Sequence, residues 1–150
     1  MKKLIFILLL SGCAVQEPSN NLLAEQYLDF HEEDNNHPLG LLLGVDPVQT
    51  EWCAAFVTHI LKSEGKQIAE KPFWSRSYLD WGTAVDTPQV GDLVIFSRNG
   101  SAWQGHIGFF VEEVSKNGKD YYKVLGGNQS DRVGYGLYNT DELLGIRRYN

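Results

Sequence analysis

Apolar residues at helical spacing mark the best-defined element of the chain, between Thr50 and Gly65. Thr50 has the side chain of an N-cap residue, and a glycine such as Gly65 commonly ends a helix. One stripe recurs with a period of 3.6 residues and consists of Phe56, Val57, Ile60 and Leu61. Cys53 lies on the same stripe, so we predict that it borders the apolar face in the first turn.

The flanking segments give weaker patterns. Residues 20–30 place Leu22, Leu23, Tyr27 and Phe30 on one side of a predicted first helix. Residues 31–49 contain two prolines and two glycines, which predicts a loop with a short apolar turn at 41–43. Residues 71–85 are aromatic and irregular, with a short helix predicted near 76–81.

After residue 90 the pattern changes to short strands separated by turn residues. The predicted strands are 91–97, 105–114, 121–127, 133–139 and 145–150. Helices followed by a run of antiparallel strands favour an α+β fold, with N-terminal helices packed on a sheet of about five strands.

The first residues predict export. Lys2 and Lys3 precede the apolar run 4–10, which is the layout of a signal peptide and too short for a span of about 20 residues. The sequence "LSGC" ending at Cys13 resembles the bacterial lipoprotein cleavage site. We therefore predict a signal peptide at 1–12, a lipidated Cys13 with a tether at 13–21, and one domain at 22–150.

Charge and cysteine content restrict the partners. The chain has 13 basic and 19 acidic residues, and removal of 1–12 changes its formal charge from −6 to −8. An acidic chain without a basic run is unsuited to nucleic acid. If Cys13 carries lipid, Cys53 remains as a lone thiol outside the cytoplasm, where a lone cysteine is either paired between molecules or reactive.

Cys53 has the position of a nucleophile. A helix N-terminus lowers the pKa of a thiol, and its free N–H groups can hold an oxyanion. The alternative is a small buried apolar residue, which "CAAFV" would suit equally well.

His106 is the best candidate for the base among four histidines. His31 and His37 lie in a polar segment, and His59 lies about 240° around the helix from Cys53. His106 instead begins the most apolar strand, between two glycines that leave room for another group. A histidine that only caps a strand is the alternative.

A third group should fix the tautomer of the imidazole, and residues 124–130 offer Asn128 and Gln129. Side chains alternate along a strand, so only one of the two amides can face the site, and the pattern does not choose between them. Asn128 as an ordinary turn residue is the alternative.

Aromatic residues near these positions suggest a glycan or peptide groove, although a core role explains them equally well. The candidate groove residues are Trp52, Trp74, Trp81, Trp103 and Gln129. We find no spacing of zinc ligands and expect neither a metal nor a cofactor.

Six blocks in order resemble the CHAP and NlpC-type bacterial cysteine peptidases. They are "TEWCAAFVTHILKSEG", "SRSYLDWG", "QVGDLVIFSR", "GHIGFFVEEV", "VLGGNQSDRV" and "LLGIRRY". The resemblance implies a papain-like core that cleaves amide bonds of peptidoglycan, with Cys53 as nucleophile, His106 as base and Asn128 as orienting amide. One departure is Glu51, a carboxylate at a position that is often proline, where it would raise the pKa of the thiol or repel anionic substrate groups.

The resulting hypothesis is a monomeric, lipid-anchored peptidoglycan amidase or endopeptidase acting through a thioester. It would lie outside the cytoplasm, on the periplasmic face of an outer membrane if the host has one. A catalytically silent wall-binding lipoprotein of the same fold is the main alternative. Acyl transfer by the same site remains open, whereas a redox role lacks a second cysteine near Cys53.

Overall fold

A computed structural model describes residues 20–149, with side chains described from residue 23. The predicted signal peptide, Cys13 and the tether up to residue 19 lie outside these residues. No helix within the described range combines the length and apolar character needed to cross a bilayer.

In the described part of the chain, three α-helices precede an antiparallel sheet of six strands. The helices are α1 (Asn20–Glu25), α2 (Asn36–Leu43) and α3 (Cys53–Ser63), followed by a 3₁₀ helix at Ser75–Asp80. The strands are β1 (Thr83–Ala84), β2 (Leu93–Ser97), β3 (Gly105–Lys116), β4 (Lys119–Gly126), β5 (Gly134–Asn139) and β6 (Leu143–Arg148). Their order in the sheet is β1-β6-β2-β3-β4-β5, which confirms the predicted α+β arrangement.

Helix α3 ends as predicted and begins later than predicted. Gly65 has φ of +70°, and the N–H groups of Gly65 and Lys66 bond to the carbonyls of Lys62 and Leu61 in a Schellman motif. The prediction of Thr50 as N-cap was wrong, because Trp52 precedes the helix with φ of −113° and makes no side-chain cap. Cys53 is therefore the first helical residue.

Two further predictions were wrong. The segment 31–49 was predicted as a loop but contains α2. Pro38 is the third residue of α2, where the N–H that proline lacks would have no helical partner, so the proline does not prevent the helix. The sheet has a sixth strand, β1, whose two residues carry no recognisable alternation and pair only with β6.

Each face of the sheet covers its own core. Side chains of α3 pack against Leu93, Ile95, Ile107, Phe109 and Leu125 on one face. The alternate residues form a second core with Val94, Phe96, Phe110, Val124 and Ile146.

The sheet curls around this second core. Phe96 on β2 and Tyr138 on β5 are three strands apart, which is about 14 Å in a flat sheet. Their ring centroids lie only 5.1 Å apart. The curl brings residues near the end of β5 close to residues at the start of β3. The candidate site lies at the start of β3.

Candidate active site

Cys53 lies at the junction of α3 and β3. Its thiol is buried and accepts hydrogen bonds from the backbone N–H groups of Ala54 and Ile107. Burial raises the pKa of the thiol above its usual range, although the bond from Ile107 and the guanidinium of Arg98 lower it. The resting thiol is therefore protonated at neutral pH, and a base must remove its proton before it can attack.

His106, the residue directly before Ile107, is buried. Its imidazole stacks on the ring of Tyr138 at 4.5 Å between centroids and 9° between planes. Burial, with a smaller effect of the Arg98 charge, lowers the pKa of His106 to about 3. The imidazole is thus neutral at physiological pH, which is the form that accepts a proton.

The structure places Cys53 and His106 at the same end of β3 without a direct hydrogen bond between them. The thiol bonds to the N–H of the residue after His106, and both imidazole nitrogens are buried without a hydrogen-bond partner among the described residues. Tyr138 lies near both groups. Its ring stacks on the imidazole of His106, and its pKa is raised first by burial and then by the nearby Cys53. Catalytic hydrogen bonds are often long without substrate and shorten when it binds.

Asn128 contacts the mouth of the site and not the imidazole. Its amide donates to Oε2 of Glu51 at 2.7 Å, and Arg98 donates to the same oxygen at 2.5 Å. The Glu51 carboxylate also raises the pKa of Cys53, less strongly than Arg98 lowers it. The predicted electrostatic effect of Glu51 is present but is offset by its ion-pair partner.

Gln129 is buried in the hairpin loop between β4 and β5. Its Nε2 donates to the carbonyl oxygens of Val124, at 3.1 Å, and Gly134, at 2.6 Å. Its Oε1 is buried and has no hydrogen-bond partner among the described residues. Gln129 therefore does not line a substrate groove.

A cleft of about 280 Å³ opens beside the thiol. Its walls include Cys53 and Arg98 together with the aromatic side chains of Phe73, Trp74 and Trp103. The indole of Trp74 donates to the carbonyl of Trp103 at 3.0 Å, which ties the 3₁₀ helix region to the loop after β2. The cleft can accept a flat or apolar portion of a substrate against these rings.

The four candidate tryptophans divide between the cleft and the core. Trp74 and Trp103 line the cleft and are 42% and 66% exposed, which agrees with a groove. Trp52 is fully buried and bonds to Glu32, and Trp81 is buried and bonds to the carbonyl of Gln67. Neither of these two contacts the cleft.

A second, polar cleft of about 280 Å³ adjoins the first. Its walls include Glu32, Gln49, Asn128 and Asp131, and both clefts share Thr50 and Glu51. The Glu51 carboxylate therefore stands between two spaces that meet near the start of α3.

Sequence reasoning missed Arg98 and Tyr138. Arg98 directly follows the buried strand β2 and precedes a turn, where a charged residue at a strand end was a usable signal. Tyr138 had no such signal, because its contact with His106 depends on the curl of the sheet. Within residues 20–149 no group of three or more histidine, cysteine, aspartate or glutamate side chains could hold a metal ion.

Comparison with protein families identifies a known domain in the chain. A model of the CHAP domain matches residues 45–128, which is more than half of the chain and includes Cys53, His106 and Asn128. No curated protein matches the chain. CHAP domains are generally peptidoglycan-cleaving hydrolases that use a cysteine.

Proposed function

This chain belongs to the CHAP domain family, and on that premise we propose that it is a cysteine-dependent hydrolase that cuts an amide bond of peptidoglycan. The bond is either the one between glycan and peptide or one within the stem or crossbridge peptides. The proposal includes a papain-like arrangement, in which the nucleophile begins a helix and the base lies on a strand of the sheet.

One observation carries the proposal. Cys53 is the first residue of α3, lines an aromatic cleft, and bonds to the N–H of the residue after His106. A nucleophile at a helix start, beside a neutral imidazole and a substrate-sized space, is the arrangement needed for acyl transfer through a thioester.

The reaction would begin from a neutral thiol and a neutral imidazole. His106 accepts the proton of the Cys53 thiol as the sulfur bonds to the carbonyl carbon. N–H groups at the start of α3 hold the oxyanion that forms. The imidazolium then protonates the nitrogen of the leaving amine as the C–N bond breaks, which leaves a thioester on Cys53.

Water completes the cycle. His106 removes a proton from the water molecule as its oxygen attacks the thioester carbonyl. The C–S bond breaks, the sulfur recovers the proton, and the carboxylic acid product leaves. These steps require the thiol and an imidazole nitrogen to approach each other once substrate fills the cleft. The resemblance assigns the orienting role to Asn128, which would have to leave Glu51 to reach the imidazole.

The location of the protein forms part of the proposal. A lipid on Cys13 would hold the domain on the outer side of a membrane, where peptidoglycan is the available polymer. On an outer membrane it would face the periplasm. Labelling growing cells with a fatty-acid analogue tests this, because Cys13→Ala should abolish incorporation while Cys53→Ala should not.

A digest of purified sacculi tests the hydrolase. We expect wild-type protein to release soluble fragments and Cys53→Ala to release none, and the new amino and carboxyl ends identify the bond. Equal release by both proteins would exclude Cys53 as nucleophile.

A silent binding module is the second candidate. The buried, protonated thiol without a bond to His106 favours it. It predicts that both proteins pellet with sacculi and that neither releases fragments.

A further inference from the structure

Two buried side chains on one face of the sheet, His106 and Gln129, carry a hydrogen-bond donor and an acceptor that are both unpaired among the described residues. Within residues 20–149, both ring nitrogens of His106 and the Oε1 of Gln129 have no hydrogen-bond partner. A neutral imidazole carries one N–H donor, and an amide oxygen is an acceptor. Burying such groups unpaired costs about 1–3 kcal/mol each, so unpaired groups in one region call for an explanation.

The orientation of the Gln129 amide is fixed. Both hydrogens of Nε2 are directed at carbonyl oxygens, those of Val124 and Gly134, which can only accept. Exchanging the positions of nitrogen and oxygen would set Oε1 against two other acceptors. The unpaired group is therefore an oxygen, and it needs a donor.

Strand register places this amide on the same face of the sheet as His106. Phe109 pairs with Leu125, so the next pair toward the site is Gly108 with Gly126, on the face that carries His106. A Cβ added to Gly126 would lie 3.0 Å from Nε2 of Gln129. The Gln129 amide thus occupies the space above Gly126, diagonally across from His106.

Tyr138, on β5, lies near both the Gln129 amide and the imidazole of His106. A Cβ added to Gly136 would collide with Oε1 of Gln129 and would lie 2.8 Å from Cε2 of Tyr138. The ring of Tyr138 in turn stacks on the imidazole of His106. Glycines at 126 and 136 leave the space that the amide, the phenol ring and the imidazole share.

We propose that Gln129 is the positioning residue for His106: its Oε1 accepts the N–H of one ring nitrogen and leaves the other nitrogen free to take the thiol proton. This bond would leave neither the Gln129 Oε1 nor that ring nitrogen unpaired. Asn128, which donates to Glu51, then belongs to the mouth of the site. This inference rests on the proposed hydrolase function, because it assigns His106 its reactive tautomer.

The decisive measurement is the tautomer of His106 in isotope-labelled protein by NMR. We expect a single neutral tautomer near pH 7, with a slowly exchanging ring N–H that shows a cross-peak to side-chain protons of Gln129. A cross-peak to the side chain of Asn128, or a rapidly exchanging mixture of tautomers, would overturn the inference. This spectrum needs only wild-type protein, so it decides the matter even if a variant fails to fold.

Two variants extend the test. Gln129→Met should leave a mixture of tautomers and lower kcat by up to about 10⁴-fold with little change in KM, as loss of the group that fixes the tautomer of a catalytic histidine does. The matched control Asn128→Ala should keep the single tautomer. The opposite pattern, with the tautomer lost only in Asn128→Ala, would assign the role to Asn128. Since the tautomer is read without substrate, inactive wild-type protein would refute the hydrolase and leave this result standing.

Discussion

The enclosed imidazole of His106 makes the stability of the protein depend on pH. Burial lowers its pKa to about 3, whereas a histidine in the unfolded chain has a pKa of about 6.5. Between these values the unfolded state binds a proton that the folded state does not. The stabilisation of the folded state by the neutral His106 ring is therefore fully present above pH 6.5 and is lost as the pH falls toward 3.

The magnitude follows from the two pKa values. Each unit of pKa difference corresponds to about 1.4 kcal/mol, and between pH 7.5 and 4.5 the free energy of unfolding should fall by about 2.5 kcal/mol through His106 alone. The variant His106→Gln cannot titrate in this range. Urea denaturation at several pH values should therefore show a steeper loss of stability for the wild type than for the variant.

Subtracting the stability curve of His106→Gln from that of the wild type removes the contributions of the other titrating groups. The carboxylates are present in both proteins. His59, whose pKa burial also lowers, is present in both as well. Cys53→Ala serves as the matched control, because it changes the neighbouring side chain and should keep the wild-type slope. Parallel curves for wild type and His106→Gln would refute the buried neutral imidazole.

Three further perturbations probe other parts of the account. Glu51→Gln removes a charge that raises the pKa of Cys53, so alkylation by iodoacetamide should reach half its maximal rate at a lower pH; a higher midpoint would contradict this. Gly108→Ala would place a Cβ 2.5 Å from Cγ1 of Val124 and should cost about 1–3 kcal/mol in urea denaturation. Its control Gly134→Ala has its nearest neighbour at 3.7 Å, and an equal loss there would contradict the packing argument. Trp103→Ala, in an exposed cleft wall, should raise KM for wall fragments and leave stability within about 0.5 kcal/mol, whereas unchanged KM would exclude it from the substrate cleft.

Local signals account for what the sequence predicted correctly. The Schellman end at Gly65 and the apolar stripe of α3 each depend on neighbouring residues, so their pattern is visible in the chain. The short helix α2 was missed because Pro38 and Gly40 suggest a loop, although a proline in the first turn leaves a helix intact.

The choice between Asn128 and Gln129 depended on information that the sequence pattern lacks. The alternation argument assumed that the strand continues, but β4 ends at Gly126 and Asn128 has φ of +54°. Alternation therefore stops before either amide, and the loop folds the Gln129 side chain back over Gly126. The contact between Tyr138 and His106 was equally hidden, because it requires the curl that brings β5 over β3.

The thioester is the central claim and can be observed directly. Wild-type protein mixed with purified wall fragments, quenched in acid and weighed intact, should gain the mass of the acyl portion of the substrate. The adduct should map to the peptide that contains Cys53, disappear with hydroxylamine, and be absent in Cys53→Ala. Release of fragments by Cys53→Ala at the wild-type rate, with no adduct on either protein, would contradict the account.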